Sequence, residues 1–163
     1  MFTALFNWLL GAGRGLAVFV ISMVPLVELR GAVPLGLAAG LPWSETLLLS
    51  YLGNLLPIPF LLFFGEKLLD WVGTLRPFTG FVQRYKAKLE SKKESVTRYA
   101  RIGLFLFVAI PLPGTGAWSG ALIAVLLEMP KAKALLSIAA GVVTAGLIML
   151  AASSGVLGVL HLF

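Results

Sequence analysis

Glu28 and Arg30 stand two residues apart inside an otherwise apolar run, MVPLVELRGAVPLG (23–36). Ionisable side chains in such a setting are costly to bury and are rare unless they work. Two kinds of work suit this pair. Arg30, with the N–H groups freed at a half-helix N-terminus, suits an anion; Glu28 suits exchange of a proton and a cationic substrate. The competing structural role is that the pair neutralises itself and holds the chain in place. A second candidate is PLPGTGAWSG (111–120), which carries no bulky group before Trp118 and has hydroxyls at Thr115 and Ser119. A polar ligand can approach bare backbone there, around Gly116, although Gly116 and Gly120 also have the spacing of close helix packing. Asn54, beside Gly53 and ahead of Pro57 and Pro59, adds a polar kink, with an interhelical hydrogen bond as its structural alternative. The expected substrate-binding set is Glu28, Arg30, Asn54, Thr115, Gly116, Trp118 and Ser119.

Enzymatic chemistry finds little support. Ala117-Trp118-Ser119-Gly120 comes close to the serine motif of intramembrane proteases, but the position two before the serine is Ala117 rather than Gly, and the one histidine, His161, lies near the C-terminus. With no cysteine and scattered acids, neither a disulfide scaffold nor a metal cluster is expected. No enzyme and no cofactor are therefore expected, and protons or ions are the natural coupling agents.

The elements that must position these residues follow from composition. Of 163 residues 59% are hydrophobic and 12% charged, against roughly 25% charge in soluble domains. The expected class is an all-α integral membrane protein. Residues 44–64 and 132–152 are each long and apolar enough to span a bilayer. The stretches 15–41 and 103–129 are interrupted, and helix breaks are expected at Pro25 and Pro34 in the first and at Pro111, Pro113 and Gly114 in the second. Each interrupted stretch is expected as a re-entrant hairpin with arms of about 10–14 residues, too short to cross comfortably.

Shifting the chain against itself by 88 positions pairs Gly15 with Gly103, Pro25 with Pro113, Pro42 with Pro130 and Gly53 with Gly141. The expected architecture is one membrane domain, 1–163, made of two repeats, 1–65 and 102–163, each a re-entrant hairpin plus a spanning helix. An odd number of crossings per repeat inverts the second copy. The joining linker, 66–101, carries the basic character: between positions 76 and 101 lie eight Lys or Arg and two Glu. That asymmetry predicts a cytoplasmic linker in a multi-pass protein of the cell (inner) membrane, not a nucleic-acid site. Phe78, Phe81, Val82, Tyr85 and Leu89 recur at helical spacing among the basic residues, so an amphipathic helix on anionic headgroups is expected. The N-terminus, without Lys or Arg in its first thirteen residues, does not have the pattern of a removed signal peptide. A bundle this small is expected to pair with a second copy of itself.

At VELRGAVPLG (27–36), GNLLPIP (53–59) and PLPGTGAW (111–118) the sequence resembles the small multidrug export proteins, a bacterial and archaeal membrane family, over nearly its whole length. That resemblance implies a small-molecule exporter. A more distant likeness, through Glu28 and Pro113-Gly114, is to the DedA-type proteins, and implies a carrier of polyprenyl phosphate or another anionic lipid; residues 102–129 contain no Lys or Arg. The residues support a transporter whose midplane site lies between two hairpin tips, with a lipid-phosphate flippase and a non-transporting membrane scaffold as alternatives.

Overall fold

The computed structural model describes residues 13–74 and 93–160, and among these every regular element is helical. In chain order the helices are α1 (Arg14–Met23), α2 (Glu28–Ala38), α3 (Trp43–Leu55), α4 (Pro57–Thr74), α5 (Lys93–Ala109), α6 (Ala117–Leu126) and α7 (Lys131–Leu160). Two stretches are long and apolar enough to cross a membrane, Trp43–Gly65, which joins α3 to the start of α4 through Leu56, and Lys131–Gly155 within α7. Both enclose the spans expected from sequence. The amphipathic helix expected around 78–89 and the N-terminal twelve residues lie outside the described residues.

Proline sets the punctuation. Val24 precedes Pro25 and is pushed out of the helical region, to φ −71° and ψ 125°, so α1 stops there. Residues 110–116 are likewise irregular around Pro111 and Pro113, between α5 and α6. Pro34 departs from expectation: it lies inside α2 and does not break it. Proline within an apolar helix is tolerated when neighbouring groups take up the freed carbonyl, and α2 is packed against α1, α3 and α7. The expected arm length of 10–14 residues fits α1, α2 and α6, but α5 has 17 because it begins within the basic segment, at Lys93. From the other side α4 runs on to Thr74, so helix enters the 66–101 segment from both ends.

The pattern of one half recurs 88 positions on, in bonds as well as in letters. At the end of α2, Gly40 N donates to Leu37 O at 3.0 Å and Leu41 N to Gly36 O at 3.1 Å; at the end of α6, Glu128 N donates to Val125 O at 3.0 Å and Met129 N to Ala124 O at 2.9 Å. Gly40 and Glu128 both take positive φ, 79° and 48°, as the residue after a helix does in this type of C-cap. Pro42 and Pro130 then open α3 and α7. Gly53 lets α3 meet α1 at Phe19 and Ser22, and Gly141 lets α7 meet α5 at Phe105 and Val108.

The core gathers on α7, where Ala134, Ile138, Val142 and Ala145 pack with Leu29, Val33, Ile58, Leu62, Leu104 and Val108. Ala17, Val18, Ile21 and Ala32 form a smaller cluster where α1 crosses α2. The outer surface is more apolar than a water-soluble fold tolerates: Leu48, Leu52, Phe60, Phe63, Phe64, Leu136 and Leu147 are all exposed. On α3 the polarity is inside out, with Thr46, Ser50 and Asn54 buried and Leu48 and Leu52 outward. Lipid is the solvent that rewards this arrangement, because helix association there rests on close packing rather than on apolar burial.

Candidate functional site

The break between α5 and α6 leaves carbonyls unpaired at the end of one helix and N–H groups unpaired at the start of the next. The first carry partial negative charge and the second partial positive charge. Two residues of α2 answer both. Arg30 Nη1 donates to the Leu112 carbonyl at 3.1 Å and to the Thr115 carbonyl, and Nη2 donates to Thr115 Oγ1 at 2.8 Å, with the Val108 and Ile110 carbonyls at 3.4 Å. Glu28 Oε1 accepts the backbone N–H of Trp118, the second residue of α6, at 3.0 Å. The two charges, two positions apart in sequence, thus take the two ends of one broken helix instead of closing on each other.

Gly116 makes the approach possible. It adopts φ 146° and ψ −173°, and a β-carbon there would collide with the Glu28 carboxylate. Glu28 itself has φ 50° and Leu26 has φ 75°, so the turn that aims the carboxylate uses left-handed backbone at two residues that are not glycine. Such strain persists only where the surroundings hold it, and it concentrates at functional sites. Thr115 fixes the loop from inside: its Oγ1 lies within 2.8 Å of the Ile110 carbonyl and 2.9 Å of the Leu112 carbonyl, and accepts the Leu112 N–H at 3.2 Å.

A reciprocal contact runs the other way. The Trp118 indole Nε1 donates to the carbonyl of Met23, the last residue of α1, at 3.2 Å. Arg30 and Trp118 lie 88 positions apart, and both donate to backbone carbonyls where a helix has ended, Arg30 at and beyond the end of α5 and Trp118 at the end of α1. Met23 and Trp118 also line an apolar cleft of about 460 Å³ with Leu56, Phe60, Leu61 and Phe64.

Of the residues expected to bind substrate, Glu28, Arg30, Thr115, Gly116 and Trp118 come together at this junction. Ser119 does not join them, since its hydroxyl points to the Gly116 carbonyl of its own turn at 3.4 Å. Asn54 is fully buried on α3, and neither amide atom has a hydrogen-bond partner. Pro25, Pro111, Pro113 and Gly114 lie in the two irregular segments as expected. The N–H of Trp118, which sequence offered to an external anion, is occupied by Glu28. Sequence reading missed the Met23 carbonyl, which has no residue-type signal, and the buried Thr46 and Ser50, whose four-residue spacing with Asn54 was there to be read.

No curated protein and no solved structure matches the chain. A family model does, the one described as "Putative small multi-drug export protein", over residues 28–148. The match begins at Glu28 and takes in the second break, both turns and most of α7, so the chain belongs to the small multi-drug export protein family.

Proposed function

We propose that this protein is a multi-pass exporter of small lipophilic cations in the cell (inner) membrane, with its substrate site at the joined breaks near the midplane. The observation that carries the reading is the buried Glu28 carboxylate, 5% exposed and held by the backbone N–H of Trp118, a residue that also lines the 460 Å³ apolar cleft. A carboxylate bonded to a residue of an apolar cleft that also contains Phe60 and Phe64 suits a lipophilic cation. The export role in the family's name agrees with it.

In this reading α1–α2 and α5–α6 are re-entrant hairpins and the two halves are inverted repeats, with the 66–101 linker on the cytoplasmic side. Rocking of one half against the other exposes the site alternately. Glu28 is the coupling group: it holds a proton or a substrate cation in turn, and when it holds neither it caps α6. Arg30 keeps the broken α5 end in register while the carboxylate changes partner. Anionic headgroups bind the basic side, where Arg101 and Lys133 flank an apolar cleft of about 380 Å³ between α5 and α7. The exporter works as a pair of copies.

The geometry favours a cation over a lipid phosphate. A phosphate would need the guanidinium, yet both terminal nitrogens of Arg30 already donate to loop oxygens, Nη1 to the Leu112 carbonyl and Nη2 to the Thr115 hydroxyl, and residues 102–129 supply no Lys or Arg. The test is thermal unfolding of the purified protein titrated with tetraphenylphosphonium and, separately, with polyprenyl phosphate. Ligand at a hundred times its Kd adds about 2.7 kcal/mol to the folded state. Tetraphenylphosphonium should raise the melting temperature of the wild type and of Arg30→Ala, and should do nothing for Glu28→Gln. Stabilisation by polyprenyl phosphate that vanishes in Arg30→Ala would replace this reading with a lipid carrier, and no response to either ligand would favour a scaffold.

A further inference from the structure

One face of α3 is polar where its counterpart in the second half is not. Thr46, Ser50 and Asn54 follow at four-residue spacing, so they line one side of the helix, and all three are 0% exposed. The hydroxyls of Thr46 and Ser50 and both amide atoms of Asn54 have no hydrogen-bond partner in the protein. Two hydroxyls on other helices are satisfied by their own turns: Ser22 donates to Phe19 O at 2.7 Å and Thr144 to Ala140 O at 2.9 Å. The positions 88 further on are Ala134, Ile138 and Val142, equally buried and part of the apolar core. The fold therefore packs this face without polar atoms, and unpartnered ones lower stability. Packing does not account for them.

The stripe runs from the α2–α3 turn to the depth of the break. Thr46 lies against Gly36 near the end of α2, and α2 and α3 are antiparallel about a short turn, so eight residues along each brings Asn54 level with Glu28. α1 gives the same answer: Gly15 faces Glu45 and Leu49, Gly53 faces Phe19 and Ser22, and Met23 shares a cleft with Leu56. At the outer end Glu45, exposed at the start of α3, and Arg14, beside Gly40, make the mouth hydrophilic. Successive polar groups rise by about 6 Å, close to the span of one water bonded to both neighbours, about 5.6 Å.

We propose that Thr46, Ser50 and Asn54 form a water-bridged proton path from the α2–α3 turn to Glu28. The path rests on the exporter reading for its purpose and on α3 alone for its existence. A hydronium at the mouth gives up its proton, the bridging waters relay it, and the Glu28 carboxylate becomes a carboxylic acid that no longer holds a cation. In the proposed topology the mouth faces outward, the side from which protons run into the cell. The apolar Ala134, Ile138 and Val142 leave no matching route through the second half, so a proton leaves Glu28 for the cytoplasm only when the halves rearrange.

The chain has no cysteine, so single cysteines report on wetness without background. Ser50→Cys, Asn54→Cys, Ile138→Cys and Val142→Cys proteins in liposomes are exposed to Ag+, then denatured, and the surviving thiols are counted with a fluorescent maleimide. Ser50→Cys and Asn54→Cys should be blocked several-fold faster than the two α7 positions; equal rates overturn the path whatever the protein transports. In the second arm, Thr46→Val/Ser50→Ala should lose most proton-driven tetraphenylphosphonium uptake but keep tetraphenylphosphonium exchange across the membrane. Undiminished proton-driven uptake in that variant overturns the path. A wild type that moves no tetraphenylphosphonium while its stripe labels fast instead sinks the exporter reading and upholds the wet stripe.

Discussion

Glu28 touches Gly116, and the two lie 88 positions apart, the shift at which the sequence matches itself; in the proposed repeats they are equivalent positions. Residues that correspond and also touch lie where an axis relating the halves would pass, which is where inverted-repeat transporters hold their substrates. The pair is asymmetric by necessity: one carboxylate fits because the other position has no side chain. Gly116→Ala should therefore be costly twice over, about 1–3 kcal/mol for a backbone region almost closed to other residues and more for the collision with Glu28. Gly114→Ala is the control, because Gly114 also has positive φ, 81°, but nothing lies near its would-be β-carbon; its cost should be about 1–2 kcal/mol. Thermal unfolding in detergent should show the larger fall for Gly116→Ala, part of it recovered on adding Glu28→Ala. Equal falls for the two glycines would mean that the contact with Glu28 contributes nothing to stability.

Helices here are joined through their ends and through glycine. The break in the second half is one unit: a carbonyl end held by Arg30, an N–H end held by Glu28 and a loop pinned by Thr115. Elsewhere glycine sets how closely elements approach. A β-carbon at Gly53 would meet the Phe19 carbonyl and the Ser22 hydroxyl, and one at Gly141 would lie 2.7 Å from Val108 Cβ, whereas Gly103 on α5 has open space. Gly53→Ala should thus be the most damaging of the three in a denaturation series, since a backbone carbonyl cannot swing aside. Gly141→Ala should be intermediate, and Gly103→Ala neutral or stabilising by up to about 1 kcal/mol through helix propensity. A Gly53→Ala protein as stable as Gly103→Ala would refute the packing of α3 on α1. Much of this level was legible in sequence. Pro25, Pro111 and Pro113 interrupt helices for covalent reasons that need no partner, and the spans declare themselves by length and hydropathy. Pro34 misled because its effect depends on what packs around it, and α5 ran long because Lys93 to Arg98 can extend a helix beyond its apolar part. Which carbonyls Arg30 would meet was invisible, since carbonyls carry no residue identity and the contact joins positions 82 to 85 apart.

At the scale of the molecule, matching C-caps at Gly40 and Glu128, matching proline starts at Pro42 and Pro130, and a basic segment between the halves bear on one question, which side each turn faces. Each half returns its two short helices to a turn and then sends out one long helix. With two re-entrant hairpins, α3–α4 carries the chain across once and α7 carries it back, so the turn at Gly40 and the turn at Glu128 fall on opposite faces. In the proposed topology the second turn faces the cytoplasm, in keeping with Lys131 and Lys133 beside it and with the absence of Lys or Arg from 39–45 beside the first. Gly40→Cys should then react with a membrane-impermeant maleimide added to intact cells. Glu128→Cys and Lys88→Cys should react only after the membrane is opened. If both turns label from outside, α5–α6 must cross completely rather than return, the halves are no longer inverted, and the two breaks meet as a fixed structural joint without alternating access. If Glu128→Cys alone labels from outside, the whole chain is reversed, and the mouth of the α3 stripe opens on the cytoplasm, so that the stripe would release the proton of Glu28 into the cell rather than load it from outside.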